Sequence, residues 1–353
     1  MALAVPGRMS ALRRDVWALL KATSRSMYLS FQVLPAEVAD AMGLGYLLCR
    51  AADTLADTRL VPQGERLKAL ETYRAAFGSG AAPKLALPED FRRHQADASE
   101  SELLSRLDDC VALWVRFPAS EKELLREVVF GVIEGMRMDL TLFPGEDESR
   151  VQALPSAEHL DRYCAHIGGA PGLFWTRLCL LKVPRLRAAD AAGLERQGLR
   201  LGKGLQMTNI LRDAAKDLRI GRCYLPQDEL AQAGLTPKDL LDPKSLSPLQ
   251  PVLKRWLAWA GAELEAGAGF IEAMPGFRLR AAAAWPLLLA FKTLALVARA
   301  PHLLDLSKEP VRVAQGEVYG MLAGSLWTLP SIARYRSAAA ELKAELDEAV
   351  RGL

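Results

Sequence analysis

Asp53-Thr-Leu-Ala-Asp57, preceded by Leu47-Leu-Cys-Arg50, is the stretch whose residue types and spacing most readily do chemistry. On a helix the two carboxylates fall one turn apart on one face, with Arg50 one turn before Asp53. Like charges at that spacing repel, so a surface helix gains nothing from them unless a cation lies between. The pattern recurs at Asp213-Ala-Ala-Lys-Asp217, within Gln206-Met-Thr-Asn209-Ile-Leu-Arg212-Asp213. Gln206, Asn209, Asp213 and Asp217 follow at steps of three, four and four, which predicts a polar ridge on an otherwise apolar helix. A buried, unpaired ridge is costly, so it implies a polar ligand or a water-filled cavity. Two DxxxD helices facing each other would offer four hard oxygen ligands suited to Mg²⁺. That ion keeps several waters and takes one or two protein carboxylates together with substrate phosphates. The spacing therefore suggests a diphosphate substrate held by bridging metal ions.

A lone Asp pair at i,i+4 also arises on solvated helix faces. Two pairs, each with an arginine one turn or less before the first aspartate, shift the balance to a site. Competing chemistries are poorly supplied: the sequence has no HExxH, ExxH, GxxxxGK[ST] or GxSxG motif. His94, His159, His166 and His302 are scattered, and His159 with His166 reads as a helix face. Ile167-Gly-Gly-Ala-Pro-Gly172 lacks dinucleotide-binding spacing, and its small residues imply close helix packing or room for a bulky ligand.

The elements that must position these groups are helices. Ala, Leu, Arg and Glu dominate, Asn-Gly and Asp-Gly hairpin signals are absent, and Pro and Gly mark off roughly ten or more helical segments. The expected fold class is all-α. Ser156 after Pro155 is a candidate helix cap, Ser120-Glu-Lys-Glu123 a candidate capping box, and Gly78 to Pro88 a surface loop. No repeat or low-complexity linker divides the chain, so one large helical domain is expected. The 353 residues suffice for a large core and exclude disorder or a small disulfide scaffold. With 45 Lys and Arg against 42 Asp and Glu, the net charge of +3 gives no single-sign excess for nucleic acid, so anion recognition must be local. The five cysteines form no CxxC pair and read as reduced core residues. Ala281 to Ala300, interrupted by Pro286, Lys292 and Arg299, reads as a soluble core helix. The charged N-terminal stretch leads us to expect no export signal.

Together the sequence resembles the squalene/phytoene synthase family of head-to-head prenyl transferases. The resemblance is carried by Ser24-Arg25-Ser26, Tyr46 to Asp57, Tyr163-Cys-Ala-His-Ile-Gly-Gly169, and Gln206 to Asp217 continuing through Gly221-Arg222-Cys-Tyr-Leu-Pro226. It implies a single isoprenoid-synthase-type helical domain over residues 1–353, built around a central cavity. By this resemblance Asp53, Asp57, Asp213 and Asp217, with Asn209, would bind Mg²⁺. Arg25, Ser26, Arg50, Gln206, Asn209, Arg212 and Arg222 would hold the two diphosphates. Tyr163 matches the tyrosine assigned to proton handling in the first half-reaction, and Tyr46 would line the cavity. A dry apolar wall suits such chemistry, because the carbocation left by ionisation must escape capture by water.

Squalene synthases take two farnesyl diphosphates through presqualene diphosphate and reduce the second cation with NADPH. Phytoene and dehydrosqualene synthases lose a proton instead. Pro310-Val-Arg-Val-Ala-Gln315-Gly-Glu-Val-Tyr319, Leu329-Pro-Ser-Ile and the segment Tyr335 to Leu346 resemble the squalene-synthase extension, which occupies about residues 300–353. Gln315 stands where a lysine is common, Ala282 falls where an aromatic residue is often found, and Gly135-Met-Arg-Met-Asp139 is similar to phytoene synthases. The expectation is a squalene synthase using farnesyl diphosphate, Mg²⁺ and NADPH. The alternatives are a non-reductive phytoene, dehydrosqualene or presqualene diphosphate synthase, and a non-catalytic lipid-carrier or assembly protein that kept the fold. The chain reaches Leu353 without a C-terminal anchor, so a cytoplasmic enzyme touching the membrane peripherally to release product is expected.

Overall fold

A computed structural model of the chain describes residues 11–24, 27–78, 84–186, 189–305 and 307–353. These described residues fall into two compact units, one within Met1–Leu140 and Arg177–Arg187, the other within Thr141–Thr176 and Ala188–Leu353. In chain order the first eight helices are α1 (Ala11–Thr23), α2 (Met27–Val33), α3 (Ala36–Asp57), α4 (Gln63–Ala75), α5 (Asp90–Arg93), α6 (Ala98–Ser105), α7 (Leu107–Val115) and α8 (Ala119–Leu142). After them come β1 (Gln152–Leu154), α9 (Ala157–Cys164), α10 (Ala170–Lys182), α11 (Ala191–Arg212), α12 (Ala214–Arg219), β2 (Arg222–Pro226) and α13 (Gln227–Gln232). The chain ends in α14 (Leu246–Ala273), α15 (Gly276–Ala298), α16 (Gln315–Thr328) and α17 (Ile332–Arg351). The all-α expectation holds, apart from one short strand pair among the described residues.

In the first unit α3 is the hub, packed by α1, α2, α4, α6 and α7. Leu47, Leu48, Ala51, Ala52 and Leu55 are fully buried, so apolar residues cover nearly its whole circumference as a central helix requires. Burying each such leucine contributes about 1.5–3 kcal/mol. Tyr73, Phe77 and Trp114 close the packing beyond α4 in successive edge-to-face contacts.

In the second unit the hub is α11, packed by α14, α15, α9 and a π-helical turn at Ala165–Gly169. The approach of α11 to that turn and to α10 is set by glycines. A Cβ on Gly202 would overlap the Gly168 carbonyl, and one on Gly172 would overlap the Gly198 carbonyl. Close packing, one of the two explanations for the small residues at 167–172, is realised at Gly168, Gly169 and Gly172.

The structure differs from the expectations in three local respects. First, β1 and β2 pair in parallel, Gln152 beside Arg222 and Ala153 beside Cys223, with an irregularity before Leu154 meets Pro226. All five residues of β2 are buried, so no polar alternation marks the strand, and Pro226, a break signal, falls at its end. Second, the ridge from Gln206 to Asp217 is not one helix: α11 stops at Arg212 and Asp213, at φ −96° and ψ 9°, joins it to α12. Third, Ser120 lies inside α8, which begins at Ala119, so it is no cap. Ser156 does occupy the N-cap of α9, but its hydroxyl meets His159 Nδ1 at 2.9 Å rather than a backbone amide. Among the described residues one helix, Gly276–Ala298, is long and apolar enough to cross a membrane, and 72% of its most apolar window is buried.

Candidate active site

Each acid pair closes the central helix of its unit. Asp53 and Asp57 occupy the last two turns of α3, whose final turn contains no basic residue, and Asp213 caps the C-terminus of α11. A helix C-terminus carries partial negative charge, so a carboxylate there is unfavourable by about 0.3–1 kcal/mol. Packing gives no reason for acids in these places; a cationic or metal-bound partner does.

In the first unit that partner is Arg50. Its Nη1 donates to Asp53 Oδ2 at 2.5 Å, and its Nη2 is hydrogen-bonded to Glu100 in the first turn of α6. Burial opposes the guanidinium's charge, but Asp53 and Glu100 outweigh it and hold Arg50 further above its ordinary range. Glu100 was not foreseen, since it lies fifty residues away on another helix. The only sequence signal is Asp97-Ala-Ser-Glu100, where Asp97 caps α6 by accepting from Ser99 N at 2.8 Å. Asp57 is exposed. Tyr46, two turns before Asp53, donates its hydroxyl to the Thr23 carbonyl at 3.1 Å and meets Phe31 edge-on at 5.3 Å. Arg25 and Ser26 lie outside the described residues. Cys49 is pushed up to about 12 by burial and then by Asp53, an environment that favours the thiol.

In the second unit Arg212 forks onto its own neighbour. Nε reaches Asp213 Oδ1 at 2.9 Å and Nη2 reaches Oδ2 at 2.6 Å, a bidentate pair. That hydrogen bond, opposed by burial and assisted by the charges of Asp213 and Asp217, raises Arg212 above its ordinary value. The two side chains remain 33% and 25% exposed, so the pair is within reach of a ligand. Asn209 is exposed and Gln206 half-buried, with its Cβ close to where a Gly168 side chain would begin. Asp217, Arg222 and Tyr224 line one narrow, almost filled pocket of about 20 Å³ between α11, α12, β2 and α14.

Tyr163, buried at the end of α9, donates to the Tyr224 hydroxyl at 3.2 Å, with the rings stacked at 4.8 Å. Tyr224 carried no role in the sequence reading. The parallel strand places it, with Gly221 at φ +78° opening the turn that leads into β2. Lys203, one turn before Gln206, is another addition: its Nζ meets Asp161 at 2.5 Å. Among the described residues no three His, Cys, Asp or Glu side chains gather as a metal site. The donors at hand are hard carboxylate and amide oxygens, which fit Mg²⁺ when phosphate oxygens complete its shell.

The squalene/phytoene synthase family matches residues 20–316. Presqualene diphosphate synthase of Zymomonas mobilis is 32% identical over 230 residues, 63% of this chain and 64% of its own length. Phytoene synthase 3 of Zea mays, a chloroplastic protein, is 34% identical over 219 residues, 62% of this chain and 43% of its own length. The chain thus spans less than two thirds of these relatives. A solved complex of TcSQS with the ligand E5700 superposes with a TM-score of 0.75 at 20% identity, covering 97% of this chain and 99% of that one, a likeness of fold. The family match runs through both acid pairs, both arginines and the tyrosine pair described above, and on that ground the chain belongs to the squalene/phytoene synthase family.

Proposed function

We propose that the protein condenses two molecules of farnesyl diphosphate head to head, through presqualene diphosphate, to squalene, using Mg²⁺ and NADPH. The observation that carries this reading is the repeated device of an acid pair ending a central helix with an arginine bound to its first aspartate. It serves the handling of a polyanion and its cations, and core packing gives no use for it.

In this reading Asp53, Asp57, Asn209, Asp213 and Asp217 would hold Mg²⁺, which when bound would supply positive charge against the leaving diphosphate. Arg50 and Arg212 change partners: a diphosphate oxygen takes the guanidinium fork, and the released carboxylate is free to act as a ligand. Arg25, Ser26, Gln206 and Arg222 hold the remaining phosphate oxygens. Joining the two substrates expels one diphosphate and one proton. Tyr163 stands at that proton, and Tyr224 fixes the Tyr163 hydroxyl from the side at 3.2 Å. Tyr46 keeps its hydroxyl turned to the Thr23 carbonyl, leaving its ring to the apolar tail.

For NADPH the second unit contains a cleft of about 260 Å³ lined by Lys216, Arg219, His302, Lys308 and Arg312, facing only Asp305 and Glu309 among carboxylates. Its cations suit a phosphate group, and its size falls below the roughly 300–1,000 Å³ of pockets enclosing whole ligands. These residues would hold the phosphate end of NADPH, whose nicotinamide supplies a hydride to the second cation. A second reading, a non-reductive synthase, is favoured by Gln315 exposed at the start of α16, by the fully buried Ala282, and by relatives named presqualene diphosphate and phytoene synthase. We further place the enzyme in the cytoplasm, in keeping with five cysteines spaced without a CxxC pair, and in peripheral contact with a membrane.

Labelled farnesyl and geranylgeranyl diphosphates, each with and without NADPH, decide between the readings. Squalene that forms from farnesyl diphosphate only when NADPH is added supports the first. A product unchanged by NADPH overturns it in favour of the second.

A further inference from the structure

We propose that α16 and the turn into α17 form a face that docks on an anionic lipid bilayer. Tyr319, Leu326, Trp327 and Ile332 are 61%, 65%, 68% and 40% exposed, four of the seven large apolar side chains so exposed among the described residues. Tyr319, Ala323 and Leu326 with Trp327 follow at steps of four and three or four, one stripe along α16. Gly316, Gly320 and Gly324 have open space where side chains would stand, so the flank beside the stripe is smooth.

The inner side of the same helix is fixed. Trp285 Nε1 donates to the buried Ser325 hydroxyl at 2.9 Å, and buried Arg280 donates from Nη1 to the Leu329 carbonyl at 2.5 Å and from Nη2 to the Met274 carbonyl at 3.2 Å. With that side held by a buried arginine at two helix ends, the apolar side faces outward as a built surface. An exposed apolar helix of this kind marks an interaction face.

Charge selects the occupant. Arg334 lies 3.7 Å from the centre of the Trp327 ring and donates to the Trp327 carbonyl at 3.2 Å, with no carboxylate partner among the described residues. Trp and Tyr, apolar bodies with a polar edge, and an arginine whose charge is unspent are the groups that settle at the level of lipid headgroups. A second copy related by a two-fold axis would present the same stripe, Tyr319, Leu326, Trp327 and Ile332, which offers Arg334 no carboxylate, whereas an anionic headgroup neutralises it. The face deepens the peripheral membrane contact proposed above, and a hydrocarbon product gives it a purpose, yet binding itself needs no substrate.

The test is co-sedimentation of the full chain with vesicles of phosphatidylcholine and phosphatidylglycerol in equal parts, or of phosphatidylcholine alone, without substrate. The native chain should bind the mixed vesicles, and joint Leu326→Ser and Trp327→Ser should weaken binding about ten-fold or more. Arg334→Gln should weaken it about five-fold on mixed vesicles and leave binding to phosphatidylcholine unchanged, and it serves alone if the double variant does not fold. Farnesyl diphosphate consumption in detergent should be the same in all three, so failure of docking is separable from failure of the reaction. Equal vesicle binding by the variants, or none by the native chain, overturns the proposal. So does a native dimer that the substitutions dissociate, which makes a second copy the occupant.

Discussion

Arg50 and Arg212 are the residues on which the site's electrostatics turn. Each neutralises the first aspartate of its pair, at a helix end where an acid is otherwise disfavoured. Both pairs are partly exposed, so each contributes only about 1 kcal/mol or less to stability, and in the proposed reaction their worth would lie in being exchangeable. Tyr163 and Tyr224 form the second residue-scale unit. Tyr163→Phe should lower the rate of the first condensation about 10²-fold, and Tyr224→Phe about ten-fold, with melting temperatures near that of the native chain. A Tyr163→Phe enzyme within about two-fold of native would confine Tyr163 to packing. The place of each arginine one turn or less before its first aspartate was legible in the spacing, whereas its ion pair with that aspartate was not called. Glu100 and Tyr224 were not, because one comes from a distant helix and the other from a strand whose buried face carries no alternating pattern.

At the scale of elements, α3 and α11 were legible as helices from their apolar periodicity, and the glycine run at 167–172 from its composition. The partners of that run, Gly198 and Gly202, were not singled out, since glycine in a helix is ambiguous until the facing backbone is known. Their role can be measured. Gly202→Ala should drive a methyl into the Gly168 carbonyl and destabilise the chain by about 3 kcal/mol, seen as a lower melting temperature. Gly320→Ala, in open space on α16, should be neutral or stabilising by up to about 1 kcal/mol. Equal melting temperatures for the two variants would remove the close-packing account of α11. The break at Asp213 escaped the sequence reading for a different reason. Asp213 N donates to the Asn209 carbonyl at 2.9 Å and Asp217 N to the Asp213 carbonyl at 3.0 Å, so helical spacing persists through a residue that is not helical.

For the whole molecule, a near-neutral charge and a half-apolar composition left local groups as the means of anion recognition, the role proposed for the ion pairs at the two helix ends. The all-α class could be read from composition, whereas the division into two compact units could not, because no linker marks it. Both acid pairs, in the proposed reaction, serve one diphosphate chemistry. The most direct test of this is the rate of farnesyl diphosphate consumption by Asp53→Asn and by Asp213→Asn, each compared with the native chain across a Mg²⁺ titration. The account predicts that each substitution alone lowers the rate about 10²–10³-fold, because several kcal/mol of leaving-group stabilisation are lost. Either variant keeping a rate within about two-fold of native at low Mg²⁺ would contradict it.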